Sequence, residues 1–167
     1  MGKEINRIRL NRLYSENNIF EEITFHDGVN IILGEKYDDR SVKGRKTNGV
    51  GKSMSIEFLD FCFLNDYEKS RIVKIPKEVF PVEENVILDL DIGQETVTIK
   101  RNRKQADKPI LIREGKTVSF DKIQDARDYL TGIIFSKLNG KKVPSFRNLF
   151  SILMRDCLLY TSDAADD

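Results

Sequence analysis

Asn48-Gly49-Val50-Gly51-Lys52-Ser53 is the stretch on which the fold reading turns. Upstream lies a dense β-branched run, Val29-Asn30-Ile31-Ile32-Leu33, ending at Gly34. Such a run predicts a strand buried on both faces. Downstream, Met54, Ile56, Phe58, Leu59, Phe61, Cys62 and Phe63 predict a largely buried helix of about three turns, ending near Asn65-Asp66. Strand, glycine-rich loop and helix in that order are the context a phosphate-binding loop requires. Backbone N–H groups of the loop converge on an anion, and the helix N-terminus adds about half a positive charge. Glycines let the main chain approach closely. In this arrangement Lys52 reaches the β- and γ-phosphates and Ser53 offers its hydroxyl to Mg²⁺.

The pattern departs from the usual G-x-x-x-x-G-K-[ST] at one position. Lys46 stands where the first glycine is expected, and Gly44 comes too early. Residues Glu35 to Thr47 read as a polar loop, with Lys36, Arg40, Lys43, Arg45 and Lys46 set against Glu35, Asp38 and Asp39. Those cations are candidates for nucleotide or DNA phosphates, or simply for a solvated mixed-charge loop.

Working outward, Ile5, Ile8, Leu10 and Leu13 predict a half-buried first strand and Ile19 to Phe25 a second, with His26-Asp27-Gly28 as the following turn. Asn85 to Ile92, Gly93-Gln94 and Glu95 to Arg101 form a strong hairpin signal. A smaller hairpin is expected around Glu114-Gly115-Lys116, and a helix capped by Asp121 with Ile123, Ala126, Tyr129 and Leu130 on one face, ending near Thr131-Gly132. Phe146, Leu149, Phe150 and Leu153 fit a last helix.

The 167 residues suit one domain or a piece of a larger protein. Lys plus Arg is 28 against 27 Asp plus Glu, so any polyanion site must be local. Cys62, Cys157 and His26 offer neither a disulfide framework nor a zinc-ligand spacing. No apolar run spans a membrane, and the start lacks an apolar leader, which reads as cytoplasmic. Residues 157–167, Cys157-Leu158-Leu159-Tyr160-Thr161-Ser162-Asp163-Ala164-Ala165-Asp166-Asp167, resemble a translated transposase adapter from sequencing libraries. The expectation is therefore a natural lobe over 1–156, a fragment of a longer frame, followed by an adapter-derived tail; a natural acidic tail is the alternative.

The string N-G-x-G-K-S at Asn48 to Ser53 resembles that of ATP-binding-cassette and SMC/RecF/RecN-type ATPases. Phe25 to Glu35, the polar insertion and T-N-G-V-G-K-S look like a group of uncharacterised bacterial coiled-coil ATPases related to the SMC and RecN heads; Thr98-Ile99-Lys100-Arg101 and Ser145-Phe146-Arg147 are similar to that group more softly. The resemblance implies an α/β P-loop lobe with a central sheet, a P-loop helix packed on it and an antiparallel hairpin subdomain. It implies ATP and Mg²⁺ bound by Asn48, Gly49, Val50, Gly51, Lys52, Ser53 and the backbone N–H of Met54, with Ser53 on the metal. A coiled coil and a second lobe with the Walker B carboxylates and signature motif would follow, two heads would sandwich ATP as a homodimer, and DNA and partner proteins are the expected partners.

No catalytic residue is assigned in this chain. Asp89 and Asp91 alternate with apolar residues and read as strand carboxylates facing water, not as Walker B. Gln94, Gln105 and Gln124 do not make a Q-loop. Lys100, Arg101, Arg103, Lys104 and Lys108 form a second basic group, a DNA candidate or a solvated one; Arg147 and Arg155 are helix anchors, ATP contacts or surface charges. Cys62 reads as core and His26 as a turn residue. Two other functions stand beside the ATPase: a nucleotide-gated interaction module without turnover, and a P-loop kinase or GTPase, whose lid or base-reading N-K-x-D is not found.

Overall fold

In the computed structural model the described residues are 5–32, 52–136 and 145–148. Their strands are β1 (Ile8–Ser15), β2 (Ile23–Thr24), β3 (Val86–Ile92), β4 (Glu95–Arg101), β5 (Ile110–Arg113) and β6 (Lys116–Ser119), and the helices are α1 (Lys52–Cys62) and α2 (Ile123–Ile134). All strands join one sheet in the order β2-β1-β3-β4-β5-β6, and every neighbouring pair is antiparallel.

Turn chemistry accounts for that direction. β3 and β4 are joined by Gly93-Gln94, where Gly93 has φ +68°. β5 and β6 are joined by Glu114-Gly115, with φ values of +49° and +74°. Two-residue loops with positive φ match the twist of antiparallel strands, whereas a parallel pair needs a long crossover. The expected α/β P-loop lobe with a separate hairpin subdomain is thus corrected: the β3–β4 hairpin is the middle of a wholly antiparallel sheet. The expected strand over 29–33 is corrected over its described part as well. Residues 29–32 belong to no strand, and Val29 and Ile31 are 88% and 74% exposed. Leu33 and Gly34 lie outside the described residues.

Alternation decides the two faces of the sheet. Val86, Leu88, Leu90 and Ile92 of β3, Val97 and Ile99 of β4 and Leu111 of β5 are buried together with Phe58, Leu59, Phe61 and Cys62 of α1 and Ala126, Leu130, Ile133 and Ile134 of α2. β1 reaches the same core although Leu10 and Leu13 are three apart, because its register against β3 shifts between Leu10 and Arg12. The bulge turns the strand, and Asn11 uses its carbonyl to accept from Phe25 N–H at 2.8 Å. The opposite face mixes polar residues with Ile87, Ile110 and Ile112. There Asp89 accepts from Arg12 Nε and Thr98 Oγ1, each at 2.6 Å, and Asp91 accepts from Thr96 at 3.0 Å.

Phe20 stacks on Phe58 at 4.7 Å and both lie near Phe80, which closes one flank of α1. α2 runs on to Ile134, past the expected stop at Gly132. Its N-cap residue is Lys122, without a side-chain cap; Asp121 instead pairs with Lys108. His26 to Asn30 forms the expected turn, in which the Asn30 amide accepts from His26 N–H and donates to the His26 and Gly28 carbonyls. Among the described residues no helix is long and apolar enough to cross a membrane.

Candidate functional site

α1 begins at Lys52, so the Lys-Ser pair of the glycine-rich string opens the helix. Ser53 and Met54 sit in the first turn, both half-buried, with Met54 packed against the core. That turn contains no acidic residue. The positive end of the helix dipole therefore meets no carboxylate from its own first turn. Asn48, Gly49, Val50 and Gly51, and the side chain of Lys52, lie outside the described residues. Among the described residues no three His, Cys, Asp or Glu side chains gather to hold a metal ion. Ser53, at the start of the helix, is compatible with a Mg²⁺ that also takes phosphate oxygens, since that ion needs few protein ligands when substrate supplies the rest.

The other end of α1 is held by arginines from three separate segments. Asn65 N–H donates to Asp60 O and Leu64 N–H to Phe61 O, the pair of bonds of a Schellman motif, with Leu64 at φ +62° in the position glycine usually takes. Arg101 of β4 donates from Nη1 to the Phe61 and Asn65 carbonyls at 2.7 and 2.8 Å and from Nε to Ala106 O at 2.6 Å. Arg127 of α2 donates from Nε and Nη2 to Leu64 O at 2.9 and 2.7 Å, and from Nη2 to Asp66 at 2.6 Å. Arg147 donates from Nη1 to Asp60 Oδ1 at 2.6 Å and to Phe63 O at 3.1 Å, while its neighbour Phe146 is buried against Phe63. Cations at the negative end of a helix dipole are favourable.

Arg101 is 1% exposed, and its Nη2 has no hydrogen-bond partner among the described residues. Burial pushes its guanidinium down to about 10, so it stays charged at neutral pH. Burial also pushes the Cys62 thiol up, which makes it inert core. Asp66 is held down to about 2, first by its hydrogen bond from Lys69 and then by Arg127.

The second basic group is divided between the core and the surface. Arg101 and Arg103 are buried, the latter donating to Phe80 O at 2.7 Å. Lys100, Lys104 and Lys108 are paired with Glu16, Glu83 and Asp121. A signal for the inward arginine was present: Arg101 is in phase with Val97 and Ile99. The 35–47 cations lie outside the described residues.

An open cleft of about 580 Å³ lies where the Gly93-Gln94 turn faces α2, lined by Asn6, Glu95, Arg113, Tyr129 and Gly132 among others. A neighbouring one of about 640 Å³ shares Asn6, Gly93 and Gln94 and adds Arg7, Arg9, Asp27 and Asp91. The arginines in both are paired: Arg113 with Glu95 at 2.5 Å, and Arg7 and Arg9 with Asp27 at 3.2 and 3.3 Å. Neither is lined by Ser53 or Met54.

Comparison with known proteins adds one relative. The chain is similar to the uncharacterized protein YydD of Bacillus subtilis strain 168. The two are 34% identical over 88 residues, which is 50% of this chain and 14% of that protein. The chain thus spans a small part of that relative's length. No protein-family model matches the chain, and no solved structure matches it.

Proposed function

We propose that the first turn of α1 and the loop before it bind the phosphates of ATP with Mg²⁺. The observation that carries this reading is the coincidence of Asn48-Gly49-Val50-Gly51-Lys52-Ser53 with a helix that starts at Lys52 and has no acidic residue in its first turn. The Lys52 ammonium would neutralise the β- and γ-phosphates, and helix N–H groups would donate to their oxygens. The Ser53 hydroxyl is what this chain would offer a Mg²⁺ ion, whose contribution would be to neutralise phosphate charge. In the longer protein the reading is an SMC/RecN-like ATPase, cytoplasmic and dimeric, acting on DNA. Hydrolysis there is catalysed by positioning and by stabilising the γ-phosphoryl charge.

One observation favours binding without turnover by this chain alone. Asp89 and Asp91 are engaged on the sheet face away from α1, so neither serves the phosphate end of the helix. Titration calorimetry with ATP·Mg²⁺, beside a phosphate-release assay, tests both points. Saturable binding that Lys52→Ala abolishes, with an unchanged circular dichroism spectrum and no phosphate release, is the expected result. Unchanged affinity in Lys52→Ala, or no binding by the parent chain, overturns the assignment.

A further inference from the structure

We propose that the three arginines gripping the C-terminal end of α1 set the axial position of that helix, so that affinity for phosphate at its N-terminal end is controlled by α2 and by residues 145–148. The proposal rests on the phosphate reading above and adds a regulation to that site.

The geometry runs as follows. α1 has 11 residues, a rod of ~16 Å at 1.5 Å per residue. Its hydrogen-bond ladder is stiff along the axis, so a displacement at one end reaches the other little diminished. The C-terminal end is fixed at four points between residues 61 and 65: the carbonyls of Phe61, Phe63, Leu64 and Asn65. The donors come from β4, α2 and the turn at 145–148, segments far apart in the chain. β4 is central in the sheet. Arg127 and Arg147 sit on separately placed elements, and Arg147 ties Asp60 and Phe63 to a segment whose other anchor is the Phe146–Phe63 ring contact at 6.3 Å.

A plain stabilising role fits this arrangement poorly. A fully buried guanidinium with one Nη2 unpartnered among the described residues is a costly way to satisfy helix carbonyls, because desolvation offsets much of the gain. What such a group does supply is direction: its planar fork fixes where the carbonyls lie. Two more forks from independent elements over-determine that position and give α2 and 145–148 a lever on it.

The test uses the 167-residue chain. ATP·Mg²⁺ affinity is measured for the parent chain, Arg147→Met, Arg127→Met, Lys52→Ala and Arg12→Met, the last removing an ion pair with Asp89 on the sheet face away from α1. Hydrogen exchange at the amides of 61–65 is followed with and without ATP·Mg²⁺. The expected result is a loss of affinity of at least ~5-fold in Arg147→Met and Arg127→Met, the scale of a modest coupling, with parent affinity in Arg12→Met. ATP slows exchange at 61–65 in the parent chain and fails to do so in Arg147→Met. If Arg147→Met does not fold, Asp60→Asn, which keeps a side-chain acceptor for the arginine and removes the charge, takes its place. Parent-like affinity and ATP protection in the clasp variants, with Lys52→Ala dead, overturns this inference and leaves the phosphate site standing. An equal loss in Arg12→Met also overturns it, since stability alone would then explain the effect. No binding by the parent chain overturns both.

Discussion

Arg101 grips Phe61 twice: its guanidinium lies 4.2 Å above the ring, and its Nη1 donates to the same residue's carbonyl at 2.7 Å. One side chain therefore fixes both the rotation and the end of α1. Removing it takes the Arg101 donor from the carbonyls of Asn65 and Ala106 and leaves Phe61 O with the Leu64 N–H alone, at ~1–3 kcal/mol for each buried group left unsatisfied that water cannot reach. Arg101→Ala adds a cavity and is expected to cost ~3–5 kcal/mol in total. Arg101→Met, which keeps the stem, is expected to cost less. Urea unfolding that ranks parent, Met, Ala in falling order checks this; equal losses for the two variants would show that packing of the stem is irrelevant.

Asp66 ties stability to acid pH. A carboxylate held at about 2 contributes stability above its ordinary range near 4 and loses it as pH falls through the folded value. Its side chain is 41% exposed, so solvent screening limits the contribution to ~1 kcal/mol. Asp66→Asn is expected to lower stability by about that much at pH 6, with the gap to the parent chain closing by pH 2. Paired urea titrations at the two values decide it.

Gly93 and Gly132 are expected to respond to alanine with opposite signs. At Gly93, φ is +68° and a Cβ would lie 3.2 Å from Asn6 Oδ1, disturbing an amide that donates to Ile133 O and Ser136. Gly93→Ala should cost ~1–3 kcal/mol. Gly132 lies inside α2, and a Cβ there meets nothing within 4 Å. Gly132→Ala should raise stability by ~0.5–1 kcal/mol, seen as melting temperatures displaced in opposite directions.

The bulge in β1 makes Asn11 removable. Deleting it restores strict alternation between Leu10 and Leu13, so the core face stays in register and the loss is the bond from Phe25 N–H, ~1 kcal/mol. Deleting Asp89 from regular β3 would turn half of that strand inside out. Cooperative unfolding retained in the first deletion and absent in the second is the expected contrast.

What local sequence encodes and what it does not is visible in particular residues. Both hairpins were legible, because period-two alternation and a turn glycine specify each within a short window. α1 was legible from the spacing of Phe58, Leu59, Phe61 and Cys62. The sheet was not, since the insertion of β1 between β2 and β3 is a pairing across the chain that no window contains. Val29 to Ile32 carries β-branched residues suited to a strand, but propensity does not supply neighbours to pair with. Arg101 was hidden by its charge: a cation on a strand reads as surface unless its phase with Val97 and Ile99 is followed. The proposed phosphate contacts at Asn48 to Gly51 were legible as a motif alone, and only Lys52, Ser53 and Met54 fall on described helix.

The position of β1 between β2 and β3 has a consequence for biosynthesis. Ile8 to Ser15 leaves the ribosome long before its partner Val86 to Ile92 exists, and at ~5–20 residues per second the wait is about 4–15 s. The β3–β4 hairpin, once emerged, closes within ~1–10 μs. A late hairpin thus supplies the long partner of the earliest strand, and until it emerges β1 has only the two residues of β2 to pair with.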